Sequence, residues 1–164
     1  MHKINIKVTN RNKATLTTLF ITFFGFSTIL FPLILINIIP ESGVGHYIFD
    51  NVNYAFISVP IIIYFMITGV YYYRIKIDPY VIDITSYRII SGIFKKKDFI
   101  DISHNMLKDY SFFDRPFSFN KTLMLKIETG SGKRISKRFE LTLISEREVE
   151  SISSVLDRII VKNN

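Results

Sequence analysis

Hydrophobic positions fall along this chain in two regimes. Between Lys13 and Glu41 there is no charged residue, and the run from Thr15 to Ile39 is dominated by Leu, Ile and Phe. A second uncharged run, rich in Ile, Val, Phe and Tyr, separates Asp50 from Arg74. Each run reaches the ~20 apolar residues that a helix needs to cross a bilayer. The pattern therefore predicts two membrane-spanning helices, residues 14–39 and 52–73. They are joined by a short external loop, residues 40–51, and preceded by a basic N-terminal tail, residues 1–13. The first run is too long for a signal-peptide core and lacks a small-residue cleavage site, so a retained anchor is expected.

Beyond Arg74 the apolar runs become short and alternating, which is the period of strands. Tyr80-Val81-Ile82-Asp83-Ile84-Thr85 follows the turn signal Asp78-Pro79 and reads as one strand. Leu123, Leu125 and Ile127 alternate with Lys126 and Glu128, and Ile135, Phe139 and Leu141 resume after Thr129-Gly130-Ser131-Gly132, a composition suited to a hairpin turn. Ser145 and Glu148 have the spacing of a capping box. Val149, Ile152, Val155, Leu156, Ile159 and Ile160 then share one helical face, predicting an amphipathic helix over 146–161. The expected fold class is a membrane α-helical hairpin plus an α+β cytoplasmic domain, residues 74–164. In that domain an antiparallel sheet or barrel is capped by the C-terminal helix.

Charge gives the expected hairpin a direction. Lys3, Lys7, Arg11 and Lys13 precede the first run, Arg74 and Lys76 follow the second, and the loop between them has no Lys or Arg. Positive-inside asymmetry then places both termini in the cytoplasm, in a multi-pass protein of the inner or plasma membrane. Tyr71, Tyr72 and Tyr73 are expected as interfacial anchors. Neither run contains an ionisable group, which argues against a conduit. Small residues at Thr15, Thr18, Thr22 and Gly25 share a helix face, and with Thr68 and Gly69 they suit close helix–helix packing. Packing within the chain is favoured over a dimer contact, and a homo-oligomer remains open.

The order of elements resembles the bacterial pleckstrin-homology-like domains that follow a pair of transmembrane helices. The resemblance rests on four stretches between Tyr72 and Val161. They are Tyr72-Tyr73-Arg74-Ile75-Lys76-Ile77-Asp78, Tyr80 to Ile84, Gly92-Ile93-Phe94-Lys95-Lys96-Lys97, and Ile100-Asp101-Ile102. It implies an anchored module without catalysis and supplies no invariant functional residue.

Candidate chemistry is sparse. The chain has no cysteine, which excludes disulfides and thiolate chemistry. His2, His46 and His104 are isolated from one another and the carboxylates show no paired spacing, so no metal or cofactor is expected. Thr129-Gly130-Ser131-Gly132-Lys133 lacks the spacing and the strand-to-helix setting of a phosphate loop. The 17 Lys/Arg against 12 Asp/Glu from Arg74 onward leave this part at net +5. Its basic residues, Lys95, Lys96, Lys97, Lys126, Lys133, Arg134, Lys137 and Arg138, are candidates for contact with anionic lipid or a partner. Strand alternation keeps Arg134, Ser136 and Arg138 off the face that carries Lys137. Nucleic acid is not expected. Tyr110, Phe112, Phe113, Phe117 and Phe119 surround Asp114-Arg115-Pro116. They are expected in the core, with Phe112, Phe113, Arg115 and Phe117 as a candidate contact loop. The expected function is a non-catalytic, membrane-anchored interaction module that binds membrane lipid or another membrane or cytoplasmic protein. The alternative is a small membrane enzyme or transporter accessory subunit, with a site in 103–120 near Asp109 or Asp114.

Overall fold

The computed structural model describes residues 5–30, 53–89 and 98–163. The chain divides into two compact units, a β unit (Met1–Ala14 with Val70–Asn164) and a helical unit (Thr15–Gly69).

The β unit contains two antiparallel sheets. The first has the order β1 (Ile6–Thr9), β2 (Tyr71–Ile77), β3 (Val81–Arg88), β4 (Asp98–Ser103). A short 3-10 turn, His104–Met106, leads into the second, with the order β5 (Leu107–Asp114), β6 (Asn120–Glu128), β7 (Arg134–Thr142). Both place alternate residues inward, as the period of two requires. Tyr73, Ile75, Ile77, Ile82, Ile84, Ile100 and Ile102 come from the first sheet, and Leu123, Leu125, Ile127, Phe139 and Leu141 from the second. The C-terminal helix, Glu146–Asn163, adds Ile152, Val155, Leu156 and Ile159 to the same cluster. Each such side chain contributes roughly 1.5–3 kcal/mol on leaving water.

Polar bonds also stitch the two sheets together. Asn10 is 1% exposed. Its Nδ2 donates to the carbonyls of Tyr71 (2.8 Å) and Thr142 (2.9 Å), and its Oδ1 accepts from the Tyr73 amide (2.9 Å). Thr142 Oγ1 accepts from the Tyr71 amide (2.8 Å) and donates to Asn120 Oδ1 (2.5 Å). Ser86 Oγ donates to the Glu140 carbonyl at 2.7 Å. The Asn10 carbonyl also accepts from Ala14, starting the first helix, α1 (Arg11–Gly25).

The C-terminal helix starts at its capping box. The Ser145 amide and hydroxyl donate to Glu148 Oε2 (2.7 and 2.8 Å), and the Glu148 amide donates to Ser145 Oγ (3.3 Å). The helix ends at Asn163, whose Nδ2 donates to the carbonyls of His104 (2.6 Å) and Leu107 (3.0 Å).

The helical unit holds most of α1, a π-helical turn (Phe26–Leu30) and α2 (Asn53–Thr68); the C-terminal helix is accordingly α3. Among the described residues no helix is long and apolar enough to cross a membrane. Over the described residues α1 has 15 residues and α2 has 16, both short of the ~20 required, while residues 31–39 of the first expected span and the expected loop, residues 40–51, lie outside the described residues. This overturns the transmembrane hairpin and, with it, the multi-pass membrane location. It also removes the resemblance to pleckstrin-homology-like membrane proteins. The physical reason is that an uncharged run does not distinguish helix from buried strand. The segment read as a span over 52–73 ends as a helix at Thr68, where Gly69 adopts φ 75° and its amide donates to the Phe65 carbonyl (2.9 Å). Tyr71, Tyr72 and Tyr73, expected as interfacial anchors, instead begin β2, and Tyr73 is fully buried. The expected basic tail contains β1, which pairs with β2 from Ile6↔Ile77 to Thr9↔Arg74. The single sheet or closed barrel is likewise replaced by an α+β arrangement of two separate sheets.

Candidate interaction surface

The outer face of the second sheet carries most of the basic hairpin, and strand register fixes what each side chain meets. Lys126 stands opposite Asp109 and Ser136, Met124 opposite Ser111 and Arg138, and Thr122 opposite Phe113 and Glu140. Charges alternate across this face. Lys126 Nζ lies 2.7 Å from Asp109, Arg134 Nε 3.5 Å from Glu128, and Arg115 Nη1 3.9 Å from Glu140. The Thr122 hydroxyl lies 3.1 and 3.2 Å from the two Glu140 carboxylate oxygens and donates to that group. Lys121, just around the edge, contacts Asp114 (3.0 Å) and Glu146 (2.8 Å). Those bonds, Glu146 first and then Asp114, raise the Lys121 ammonium above its ordinary value.

Lys137 leaves this group. It lies on the other side of β7, and its Nζ donates to the Phe99 carbonyl of edge strand β4. Lys133 sits in the exposed β6–β7 turn, where Gly132 adopts φ 77° and the Thr129 amide donates to the Lys133 carbonyl at 2.9 Å. Lys95, Lys96 and Lys97 lie outside the described residues. The described basic residues therefore do not form one positive patch. Lys126 and Arg134 are met by carboxylates, and Lys137 serves a backbone acceptor.

Asp109 was a candidate acid for an enzyme in 103–120. Its hydrogen bond from Lys126 is the main cause that holds its carboxyl below the usual range. That direction is the reverse of what a proton donor near neutrality requires. Among the described residues no three His, Asp or Glu side chains lie together in a way that could hold a metal ion.

The aromatic residues around Asp114-Arg115-Pro116 separate into two sets. Tyr110 and Phe112 pack partly buried against the core, with ring centroids 6.0 Å apart and an edge-on angle of 81°. The Tyr110 hydroxyl donates to Asp157 Oδ1 of α3 at 2.8 Å. The others point out: Phe113 is 49% exposed, Phe119 59% and Phe117 94%. Phe117 occupies the β5–β6 turn with φ 54°, a conformation that bulky residues rarely adopt. The turn is fixed from both sides, by the Ser118 amide donating to the Arg115 carbonyl (3.2 Å) and the Leu143 amide donating to the Phe119 carbonyl (3.0 Å). Phe113, Arg115, Thr122, Met124, Arg138 and Glu140 border a shallow depression beside this tip. Phe119 and Met124 were not singled out as contact residues in the sequence. The outer-face position of Met124, opposite Ser111, follows only once the β5–β6 register is known, and the exposure of Phe119 only once the turn is placed.

Within the helical unit, the small-residue stripe divides. Thr18 and Gly25 are half-buried on α1, whereas Thr15 and Thr22 are exposed. Ile21 is buried, and a Cβ placed on Gly25 would meet Ile62 Cδ1 of α2 at 3.5 Å. The packed side of α1 thus runs through Thr18, Ile21 and Gly25. Thr68 turns its hydroxyl to the Tyr64 carbonyl at 2.9 Å. Leu16, Leu19, Phe20 and Phe23 are exposed at helical spacing along α1, as are Ile63, Met66 and Ile67 on α2.

Neither a protein-family model, nor a curated protein, nor a solved structure matches this chain.

Proposed function

We propose that the chain is a non-catalytic module that binds another protein through the β5–β6 tip and the adjoining outer face of the second sheet. The observation that carries this reading is Phe117, 94% exposed and held at positive φ on a turn anchored at both sides. Exposed aromatics cost solvation, and strained residues persist where the surrounding structure over-determines them. Phe113, Phe119, Met124, Arg115 and Arg138 around Phe117 are of the types enriched at protein interfaces. The alternation of paired charges favours a protein partner over an anionic lipid surface. Attraction to such a surface scales with unneutralised cations, and Arg115, Lys121, Lys126 and Arg134 each stand beside a carboxylate. The exposed apolar sides of α1 and α2 supply further surface suited to association.

Site-specific photocrosslinking in the native cell tests this. A photoreactive residue at position 117, 113 or 119 should give a discrete protein adduct, and one at exposed Glu150 on α3 should not. Equal labelling at all four positions, or recovery of lipid adducts alone, rules the reading out.

A further inference from the structure

A second surface of the β unit differs in its charge. The β2–β3 turn, the 3-10 turn and the last turns of α3 enclose a groove of about 370 Å³. Its lining includes Tyr80, Ser103, His104, Asn105, Arg158 and Lys162, and no acidic side chain. Among the described residues neither Arg158 nor Lys162 makes an ion pair. Exposed Asp101, two residues before Ser103 on β4, is not part of the lining, and two other nearby acids are engaged elsewhere. Asp78 pairs with Lys76 (2.5 Å), and Asp157 accepts from the Tyr110 hydroxyl (2.8 Å).

Two cations four residues apart on a helix repel each other. The negative end of the α3 dipole relieves Lys162 in the last turn, but its effect has faded at Arg158, which lies five residues before Asn163. His104 reports the same field. Its main chain is fixed on both sides, the amide donating to the Tyr80 carbonyl (3.1 Å) and the carbonyl accepting from Asn163 Nδ2 (2.6 Å). Its Nε2 is enclosed with no hydrogen-bond partner. Burial lowers the imidazole below its ordinary value and the charge of Lys162 adds to this, while the backbone of Asp78 and Val81 pulls the other way.

We propose that this groove binds the phosphoryl group of a small soluble phosphorylated ligand. Arg158 and Lys162 supply the opposing charge, and the Ser103 hydroxyl, Asn105 amide and Tyr80 hydroxyl act as neutral donors. A phosphate dianion matches two cations in charge, and its oxygens accept from several donors at once. Carboxylates use fewer. The groove is of a size for a small ligand.

The test is an NMR titration of the full-length chain with inorganic phosphate, following the imidazole resonance assigned to His104 with a His104→Gln variant. Phosphate should give a saturable shift and move the His104 titration midpoint upward, because an anion nearby favours imidazolium. Acetate at matched ionic strength should bind more weakly. Joint Arg158→Gln and Lys162→Gln substitution should weaken phosphate binding about tenfold or more, as expected on losing two charge-assisted bonds. Arg147→Gln, at the other end of α3, should leave it unchanged. Each single Gln variant should weaken binding partially, which keeps the test decisive if the double variant misfolds. A linear, non-saturating response, an equal response to acetate, or full binding by the double variant overturns the proposal. A glycerol phosphate arm checks the source. Its binding supports a soluble ligand, whereas binding only to phosphatidic-acid vesicles overturns that part.

Discussion

Two residues show opposite relations between local strain and cohesion. Asn10 is small and polar, yet it joins the end of β1, the start of α1, β2 and β7 through three side-chain hydrogen bonds in a buried site. Removing its amide leaves the Tyr71 and Thr142 carbonyls and the Tyr73 amide without that partner. Each buried unsatisfied group costs ~1–3 kcal/mol. Asn10→Ala should therefore destabilise the chain by roughly 3 kcal/mol or more, read as a lower urea midpoint at an unchanged slope. In the sequence Asn10 falls in the stretch read as a basic tail, residues 1–13, and nothing there singles it out. The contacts that make it important span up to 132 positions of sequence, and local pattern carries no trace of them. Phe117 is the reverse case. Its positive φ costs ~1–2 kcal/mol, and glycine would relieve that while adding some unfolded-state entropy. Phe117→Gly should thus raise the unfolding free energy by about 0.5–1 kcal/mol while removing partner crosslinking at the tip. A variant that is destabilised, or that still crosslinks fully from position 113, contradicts the role given to this side chain.

At the scale of elements, α3 depends on ionisation at its start. Glu148 is partly buried, which pulls its carboxyl upward. The amide and hydroxyl of Ser145 and the nearby Lys13 ammonium outweigh this and hold it below the usual range. A carboxyl whose folded pKa is depressed contributes stability that is present above its unfolded value, near 4.5, and lost as pH falls through the folded value. Glu148→Gln should therefore lower Tm at pH 7, and the gap between wild type and variant should narrow as pH falls below about 4.5 and on through the depressed folded value. A gap of constant size from pH 7 to pH 3 would show that the carboxylate charge is not what the cap uses. This capping box is visible in the sequence because it is local, as are the alternation of β6 and β7 and the turn at Thr129 to Lys133. The first sheet is less visible. β1 has only four residues and sits beside a long uncharged run, and the opening of β2 is three consecutive tyrosines with no alternation of polarity. The interaction surface lies between these cases. Its aromatic and basic residues are evident in the sequence. Their separation into half-buried Phe112 and exposed Phe113, or outward Arg138 and inward Lys137, depends on strand phase in a segment with weak alternation.

For the molecule as a whole, the division into units follows the chain in an unusual order. Antiparallel neighbours β1 and β2 are separated by the entire helical unit, residues 15–69, although two-residue hairpins suffice for such a pair. The β unit receives both ends of this insertion, at Ala14 and Val70, and holds them with its own bonds. Asn10 and Thr9 Oγ1 bond to β2, and the Ile89 amide donates to the Val70 carbonyl at 2.8 Å. Among the described residues, its core cluster is made of Ile6 and Val8 of β1 and residues from Tyr73 onward. By that logic the helical unit is dispensable for folding of the β unit. Its cost is the closure of a long loop, which grows only with the logarithm of loop length. Replacing residues 15–69 by a Gly/Ser linker of about six residues should leave a cooperatively folded protein whose circular dichroism is mostly β with one helix. Its stability should equal or exceed that of the parent, by about 1–2 kcal/mol from the shorter loop alone. The tip at Phe117 should keep its crosslinking in that shortened chain if binding belongs to the β unit alone. Loss of cooperative unfolding would show instead that the helices complete the core, and loss of crosslinking with the fold intact would assign part of the binding surface to α1 and α2.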